Sequence, residues 1–400
     1  MRKTTREILT EATLSREDID RFLNPNVPNM ATFDAELGYL FRDIVMKDGI
    51  SGSYTISHYK PAGERRMVNY SQQPCRINTY GNSFTQGAQV SDGETWQEIL
   101  ATHFGEPIRN FGVGGYGVYQ AYRRLLRQEN TASSAEYIIL NIWSDDHFRS
   151  IYPWRWLHIP EFRTRKKDRT PMFHANPWAH LVLNPRTGVF EEHENPYPTP
   201  ESLYQLCDPD HVYEVFKDKF DVQTYLAQMR ALDTNTEILQ EMADLLDLTT
   251  DFSSTDATAR TTHALLRTVA LRSSMYVIDM VQKFIRTRGK KFLVLLSYSE
   301  QDVIRACRGL ARFDQSFIDY LNRNDFQFID TLQKHVADFR DFKCPAEEYT
   351  RRFYIGHYNP SGNHFFAFAI KDGLVDWLNP KPPAYRKNGP SLQSLIDSRA

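Results

Sequence analysis

Cysteine is scarce in these 400 residues: Cys75, Cys207, Cys307 and Cys344 stand far apart, and no pair has the short spacing of a zinc knuckle or a redox motif. Long apolar runs are missing too, since none approaches the roughly 18–20 residues needed to span a bilayer. The first residues, Met1-Arg-Lys-Thr-Thr-Arg-Glu7, lead into polar sequence rather than the apolar stretch of a leader. A reduced, cytoplasmic protein is therefore expected. Charge of one sign is lacking as well: 48 Lys and Arg against 50 Asp and Glu leave a formal net charge of -2. That balance offers no footprint for nucleic acid and no polybasic surface for a membrane. The local basic run Arg163-Thr-Arg-Lys-Lys-Asp-Arg169 reads as a solvated loop. There is no internal repeat and no low-complexity tract. No nucleotide signature is present either, so no cofactor is expected.

What the chain does have is core-forming material, 41% hydrophobic and 13% aromatic, enough for an α/β domain with an added lobe. Residues 4–23 read as one or two short helices, with Ser15-Arg-Glu-Asp18 as a cap pattern. Residues 49–70 alternate as hairpin strands, 53–59 and 66–70, about a Pro61-Ala-Gly63 turn. From residue 76 the rhythm becomes strand and helix in turn. Strands are predicted over 76–80, 107–111, 135–143, 291–297 and 328–330, and helices over 95–104, 118–127, 264–288 and 365–378. Between about 148 and 262 the periodicity breaks into Trp, Pro, His and charge, with a hairpin candidate at 180–190. Alternating strands and helices predict a mostly parallel sheet covered on both faces, a three-layer α/β/α sandwich.

Active sites in such sheets gather in the loops at the carboxyl ends of strands. Four loops here carry the chemistry. Gly81-Asn-Ser-Phe-Thr85 places Ser83 between a strand and a helix, where its own N–H stands free near the helix start; alone, it reads as a helix cap. Asn110-Phe-Gly-Val-Gly-Gly-Tyr-Gly117 exposes backbone N–H groups but fits neither Gly-x-Gly-x-x-Gly nor a phosphate-binding loop ending in Lys-Ser/Thr; alone, it reads as a tight turn. Trp143-Ser-Asp-Asp-His147 follows the strongest strand and offers adjacent carboxylates, which serve a site, a cap or a metal; no second ligand cluster stands at metal-binding spacing. His357 precedes the last helix.

Their order along the chain resembles the block pattern of the SGNH (GDSL-like) hydrolase superfamily. Tyr80-Gly-Asn-Ser-Phe-Thr-Gln-Gly87 is similar to its Gly-Asp-Ser-Phe-Thr block, and Asn110-Phe-Gly-Val-Gly-Gly115 to its Asn-x-Gly-x-x-Gly block. Trp143-Ser-Asp-Asp146 stands where that family has Gly-x-Asn-Asp, and Tyr354-Ile-Gly-His-Tyr-Asn-Pro-Ser-Gly362 is similar to its Asp-x-x-His block. The match covers residues 76–147 and 264–378. It implies a flavodoxin-like hydrolase domain at 76–147 and 264–400, an N-terminal helical and hairpin appendage at 1–75, and an insertion at 148–263 acting as a lid or specificity wall.

The resemblance also implies Ser83 as nucleophile and His357 as its base, acting on an acyl ester. The Ser83 and Gly115 N–H groups would hold the oxyanion, with Asp145 and Asp146 in the catalytic loop and Asn82, Asn110 and Tyr354 on the substrate side. Three positions depart from the family: Asn82 replaces Asp, Asp145 replaces the oxyanion-donating Asn, and Tyr354 replaces the triad Asp. The partner that orients His357 is then Asp146, Asp145, a backbone carbonyl or Tyr354. The expected substrate is a small-molecule or carbohydrate ester. Trp154, Trp156 and Trp178 suit sugar stacking as well as they suit plain packing. Two rivals share the fold: a binding protein without activity, and an acyltransferase using the same residues.

Overall fold

Tyr-Ile-Ile-Leu-Asn-Ile-Trp is too apolar to have a wet face, and as Tyr137–Trp143 it forms the central strand of the molecule, buried along its length except for half-buried Trp143. The computed structural model describes residues 2–27, 29–164 and 172–386, so the basic run 163–169 lies from 165 onward outside the described residues. Five parallel strands, β1 (Ile77–Gly81), β2 (Arg109–Asn110), β3 (Tyr137–Trp143), β4 (Lys291–Ser297) and β5 (Phe328–Asp330), lie in the order β2-β1-β3-β4-β5. In register, Ile139 stands between Thr79 of β1 and Leu293 of β4.

Helices around the sheet include α1 (Trp96–Phe104), α2 (Val118–Gln128), α3 (Thr255–Arg286), α4 (Thr331–Phe339) and α5 (Pro360–Trp377). α1 packs on α5 and α5 on α4, while α2 packs on α3. Two helices begin earlier than their apolar periodicity predicts, because caps rather than periodicity set their starts. Ser254 Oγ accepts the Ala257 N–H at 3.2 Å, which carries α3 back into the stretch assigned to the insertion. Asn359 Oδ1 accepts the Gly362 N–H at 2.8 Å with Pro360 in the first turn, so α5 starts at Pro360.

The chain leaves β1 outward to β2, then crosses back over β1 to reach β3. The order reverses between β1 and β3, the place where parallel α/β sheets leave a crevice outside the carboxyl ends of their strands. That crevice is where the serine loop and the acidic loop end.

The N-terminal region departs from its predicted hairpin. Thr55–Ser57 pairs antiparallel with Ile44–Met46, and 66–70 is not a strand; a lone bridge, Tyr59 to Arg65, survives. The reason is competition: the Arg65 N–H bonds Asn110 O at 2.9 Å, at the edge of the main sheet. A second hairpin, Ala31–Asp34 with Gly38–Phe41, escaped the sequence reading; Asp34 Oδ1 accepts the N–H groups of Glu36 (3.1 Å) and Leu37 (2.9 Å) to turn it. The 180–190 hairpin forms as predicted, His180–Leu183 against Phe190–His193. Apolar residues of the N-terminal region (Ile8, Phe22, Tyr39) share a core with those of the insertion (Trp154, Leu157, Phe216), separate from the core around the sheet. Among the described residues no helix is long and apolar enough to cross a membrane.

Candidate active site

β1 ends at Gly81 (φ +147°), where a Cβ would meet Thr85 Oγ1 at 2.3 Å and Asn141 O at 2.4 Å, so glycine alone lets the chain turn here. The next residue, Asn82, is fully buried and caps the one-turn helix Ser83–Gln86, its Oδ1 accepting from Phe84 N (2.7 Å) and Thr85 N (3.4 Å). The cap takes the N–H groups of 84 and 85 and leaves that of Ser83 free. Asn82 thus acts on backbone, and its amide donates to Asp146; it does not line the cavity above Ser83.

Asn110 is likewise a clamp rather than a substrate contact. Its Nδ2 donates to Thr85 O (2.9 Å) and Gln86 O (3.1 Å), and its Oδ1 accepts from Gly112 N (2.9 Å). These bonds fix the glycine loop against the serine turn. Gly115 follows with φ +92°, and a Cβ there would meet Tyr39 Oη at 2.3 Å and Arg155 Nη1 at 2.8 Å. Tyr39, buried, donates its hydroxyl to Gly114 O at 2.7 Å. A trans peptide is planar, so pinning that carbonyl turns the Gly115 N–H the opposite way. Among the described residues, neither the Ser83 nor the Gly115 N–H meets a protein acceptor.

His357 Nε2 lies 2.8 Å from Ser83 Oγ. Its Nδ1 faces none of the expected partners. It meets Gln89 Oε1 at 3.1 Å, and the same oxygen accepts the His357 backbone N–H at 2.8 Å. Gln89 Nε2 donates to Asp48 O at 3.0 Å, which settles which end of the amide points at the histidine. An oxygen facing Nδ1 places the proton there and leaves Nε2 free to accept from Ser83. Gln89 sits at φ +67° in a loop that buried Arg65 holds by Gln86 O (2.6 Å), Gly87 O (2.7 Å) and Val90 O (2.7 Å). Phe84 packs its ring against His357, centroids 5.1 Å apart.

The other expected orienting groups lie elsewhere. Tyr354 is buried and donates to Tyr298 O at 3.1 Å, away from the cavity. Asp146, also buried, accepts from Trp143 N (2.9 Å) and Arg149 Nη1 (2.9 Å); burial pushes its carboxyl up, and Arg149 pulls it back. Asp145 is half-exposed and accepts from Arg149 Nε at 3.0 Å. Neither carboxylate is a hydrogen-bond partner of His357. The negative charge expected beside the oxyanion is therefore bound by Arg149, and it is Arg149 that lines the cavity.

That cavity, about 1280 Å³, holds Ser83, His357 and Gly115 on one side. The N-terminal region supplies Phe22, Phe41 and Met46 to its wall, and Arg149 and Arg155 supply positive charge. Desolvation, together with those two guanidiniums, pushes the His357 imidazole down to about 4. Trp154, Trp156 and Trp178 are packing residues: all three are buried, and their indole N–H groups donate to Ala175 O (2.7 Å), Ala12 O (3.0 Å) and Tyr152 O (2.6 Å). Among the described residues no group of three His, Cys, Asp or Glu side chains is placed to hold a metal ion. Neither a scan against protein-family models nor a search of curated proteins returned a match for this chain.

Proposed function

We propose that the chain is a serine-dependent acyl-ester hydrolase of the SGNH type. The observation that carries the reading is the chain of contacts Ser83 Oγ to His357 Nε2 (2.8 Å), then His357 Nδ1 to Gln89 Oε1 (3.1 Å), beside two unpaired backbone N–H groups. The strand order β2-β1-β3-β4-β5 and the two separate helix groups support a flavodoxin-like, three-layer α/β/α frame for it. Ser83 Oγ attacks the acyl carbonyl carbon while its proton passes to Nε2. The oxyanion is received by the Ser83 and Gly115 N–H groups, each such donor being worth about 2.7–4 kcal/mol. As the acyl C–O bond breaks, Nε2 returns the proton to the leaving alcohol, and water repeats the sequence on the acyl-enzyme. Gln89 holds the imidazole in the needed tautomer, as an asparagine does in papain-like proteases. With the three tryptophans buried, the support for a sugar ester that they offered falls away.

The direct test is fluorophosphonate labelling with peptide mapping. Modification is expected at Ser83 and absent in Ser83→Ala; a folded wild-type protein that takes no label overturns the reading.

Two further results are expected. His357 works as a base only when neutral, and its pKa of about 4 lies below the usual value, so protonation sets in only at low pH. The kcat/KM profile should stay level from neutrality down to about pH 5 and fall with an apparent pKa near 4. An acid limb at 6.5 or above would show that the base is not held as described. Tyr39→Phe removes the pin on the Gly114 carbonyl. With a net hydrogen bond worth about 1–1.5 kcal/mol, kcat should fall roughly tenfold with KM little changed. Equal effects on both constants would place Tyr39 outside the oxyanion machinery.

A further inference from the structure

A buried cation ordinarily has an anion beside it, because desolvating a lone charge is costly. Arg149 obeys this, with Asp145 at 3.0 Å and Asp146 at 2.9 Å. Arg155, only 8% exposed, has no such partner of its own: among the described residues it forms no ion pair, and Asp145 and Asp146, both bound to Arg149, act on it only at longer range. Its side-chain contact is Nη1 donating to His174 Nδ1 at 2.9 Å. That nitrogen must be unprotonated to accept, so His174 brings no compensating charge. The carboxylates lining the same cavity are engaged locally: Asp18 accepts from Ser15 Oγ at 2.6 Å, and Asp48 from Thr55 Oγ1 at 2.5 Å.

The position of this cation matters as much as its isolation. Its Nη1 lies 2.8 Å from where a Cβ on Gly115 would be, and Arg155 shares the cavity wall with Ser83 and His357. A volume of about 1280 Å³ accommodates far more than an acetyl group. Two guanidiniums near the base also oppose the imidazolium that must form in each acyl-transfer step, and Gln89 opposite them is neutral. A negative group on the substrate removes that opposition and satisfies Arg155 in one act.

We infer that Arg155 receives an anionic group (carboxylate, phosphate or sulfate) carried by the non-reacting part of the ester that Ser83 attacks. The inference rests on the hydrolase reading for its chemistry, though not for its binding site. A guanidinium–anion bond at a largely buried arginine is charge-assisted and bidentate where geometry allows, so it discriminates against a neutral isostere.

The test compares 4-nitrophenyl hemisuccinate with 4-nitrophenyl butyrate, acyl chains of similar length with and without a terminal carboxylate. Wild-type kcat/KM is expected to favour the hemisuccinate by about tenfold or more, a margin of the size that hydrogen bonds to charged groups provide. Arg155→Gln should bring the ratio close to one. A wild-type ratio of one, or an Arg155→Gln variant that slows both esters equally, overturns the inference and leaves Arg155 as an aid to the oxyanion. Should Arg155→Gln fail to fold, the wild type decides: succinate and inorganic phosphate should inhibit butyrate hydrolysis competitively, and absence of inhibition is a refutation. Calorimetric titration of Ser83→Ala with succinate keeps the two readings apart. Succinate binding without turnover of either ester sinks the hydrolase and spares the anion site; turnover without binding does the reverse.

Discussion

Ser83→Ala and His357→Ala are each expected to lower kcat on 4-nitrophenyl esters by on the order of 10⁴–10⁶-fold, and the double variant to be no worse than either single one. The size follows from the geometry. Under the proposed mechanism Ser83 Oγ forms the covalent bond, and His357 Nε2, 2.8 Å away, is the base in contact with it. The two act as a unit, so removing one removes what the other was there to do. Both changes leave the backbone of 83 and 115 intact, hence the residual rate should remain above that in water through the N–H pair alone. Circular dichroism and thermal melting of each variant before assay fix the fraction of folded protein. A loss of only tenfold in His357→Ala would mean that another group takes the proton; additive losses in the double variant would mean that the two residues do not share a step.

Three residues of the candidate site were legible in the sequence through the order of their blocks along the chain, since each block alone reads as a cap, a turn or a loop. Ser83 follows a glycine that only a strand-to-helix turn of this tightness requires, Gly115 sits in a loop dense with glycine, and His357 precedes an Asn-Pro helix start. Asn82 and Asn110 were legible as polar residues in the right loops, yet their buried bonds go to backbone, the commoner fate of an asparagine at a helix start or turn. Tyr354 was offered as a partner for His357 because it stands where the resembled family has its triad Asp, and Asp145 and Asp146 because they are the carboxylates of another site loop. The group that serves is Gln89, 268 residues earlier, and no local signal in the sequence marks it. Its left-handed backbone and its place in the loop after the serine helix become meaningful only once that loop is folded back over Arg65.

The same limit explains why the N-terminal region read as an appendage. Its contributions to the site are tertiary. Tyr39 pins the Gly114–Gly115 peptide, Asp48 orients the Gln89 amide, and Arg65 holds the loop that carries Gln89. It docks through Arg127 on Asp34 (2.6 Å) and through Arg123 on Glu36 (2.5 Å), so these first residues bear on α2 and on the catalytic loops at once. Removing them would not trim a decoration. It would release the Gly114–Gly115 peptide and the acceptor that holds the His357 tautomer together.

Gln89→Ala should lower kcat by about 10²–10³-fold with KM nearly unchanged, a barrier increase of about 3–4 kcal/mol. Two donors would lose one acceptor: the Nδ1–H and the backbone N–H of His357, at 3.1 and 2.8 Å. Without it, nothing favours the tautomer whose Nε2 accepts from Ser83. Gln89→Glu separates orientation from charge. A carboxylate keeps an oxygen toward both donors and adds the negative charge that Gln89 lacks, favouring the imidazolium, so the acid limb of kcat/KM should rise from about 4 toward the ordinary histidine range. Its second oxygen would then face Asp48 O across the 3.0 Å now filled by an N–H donor, and that repulsion offsets part of the gain. The rate of Gln89→Glu at neutral pH should accordingly stay within about tenfold of wild type, one tenfold being about 1.4 kcal/mol, while the alanine variant remains far below both. If alanine and glutamate behave alike, or if the acid limb stays near 4 in the glutamate variant, Gln89 does not hold the base. Another acceptor for Nδ1 would then have to form during turnover.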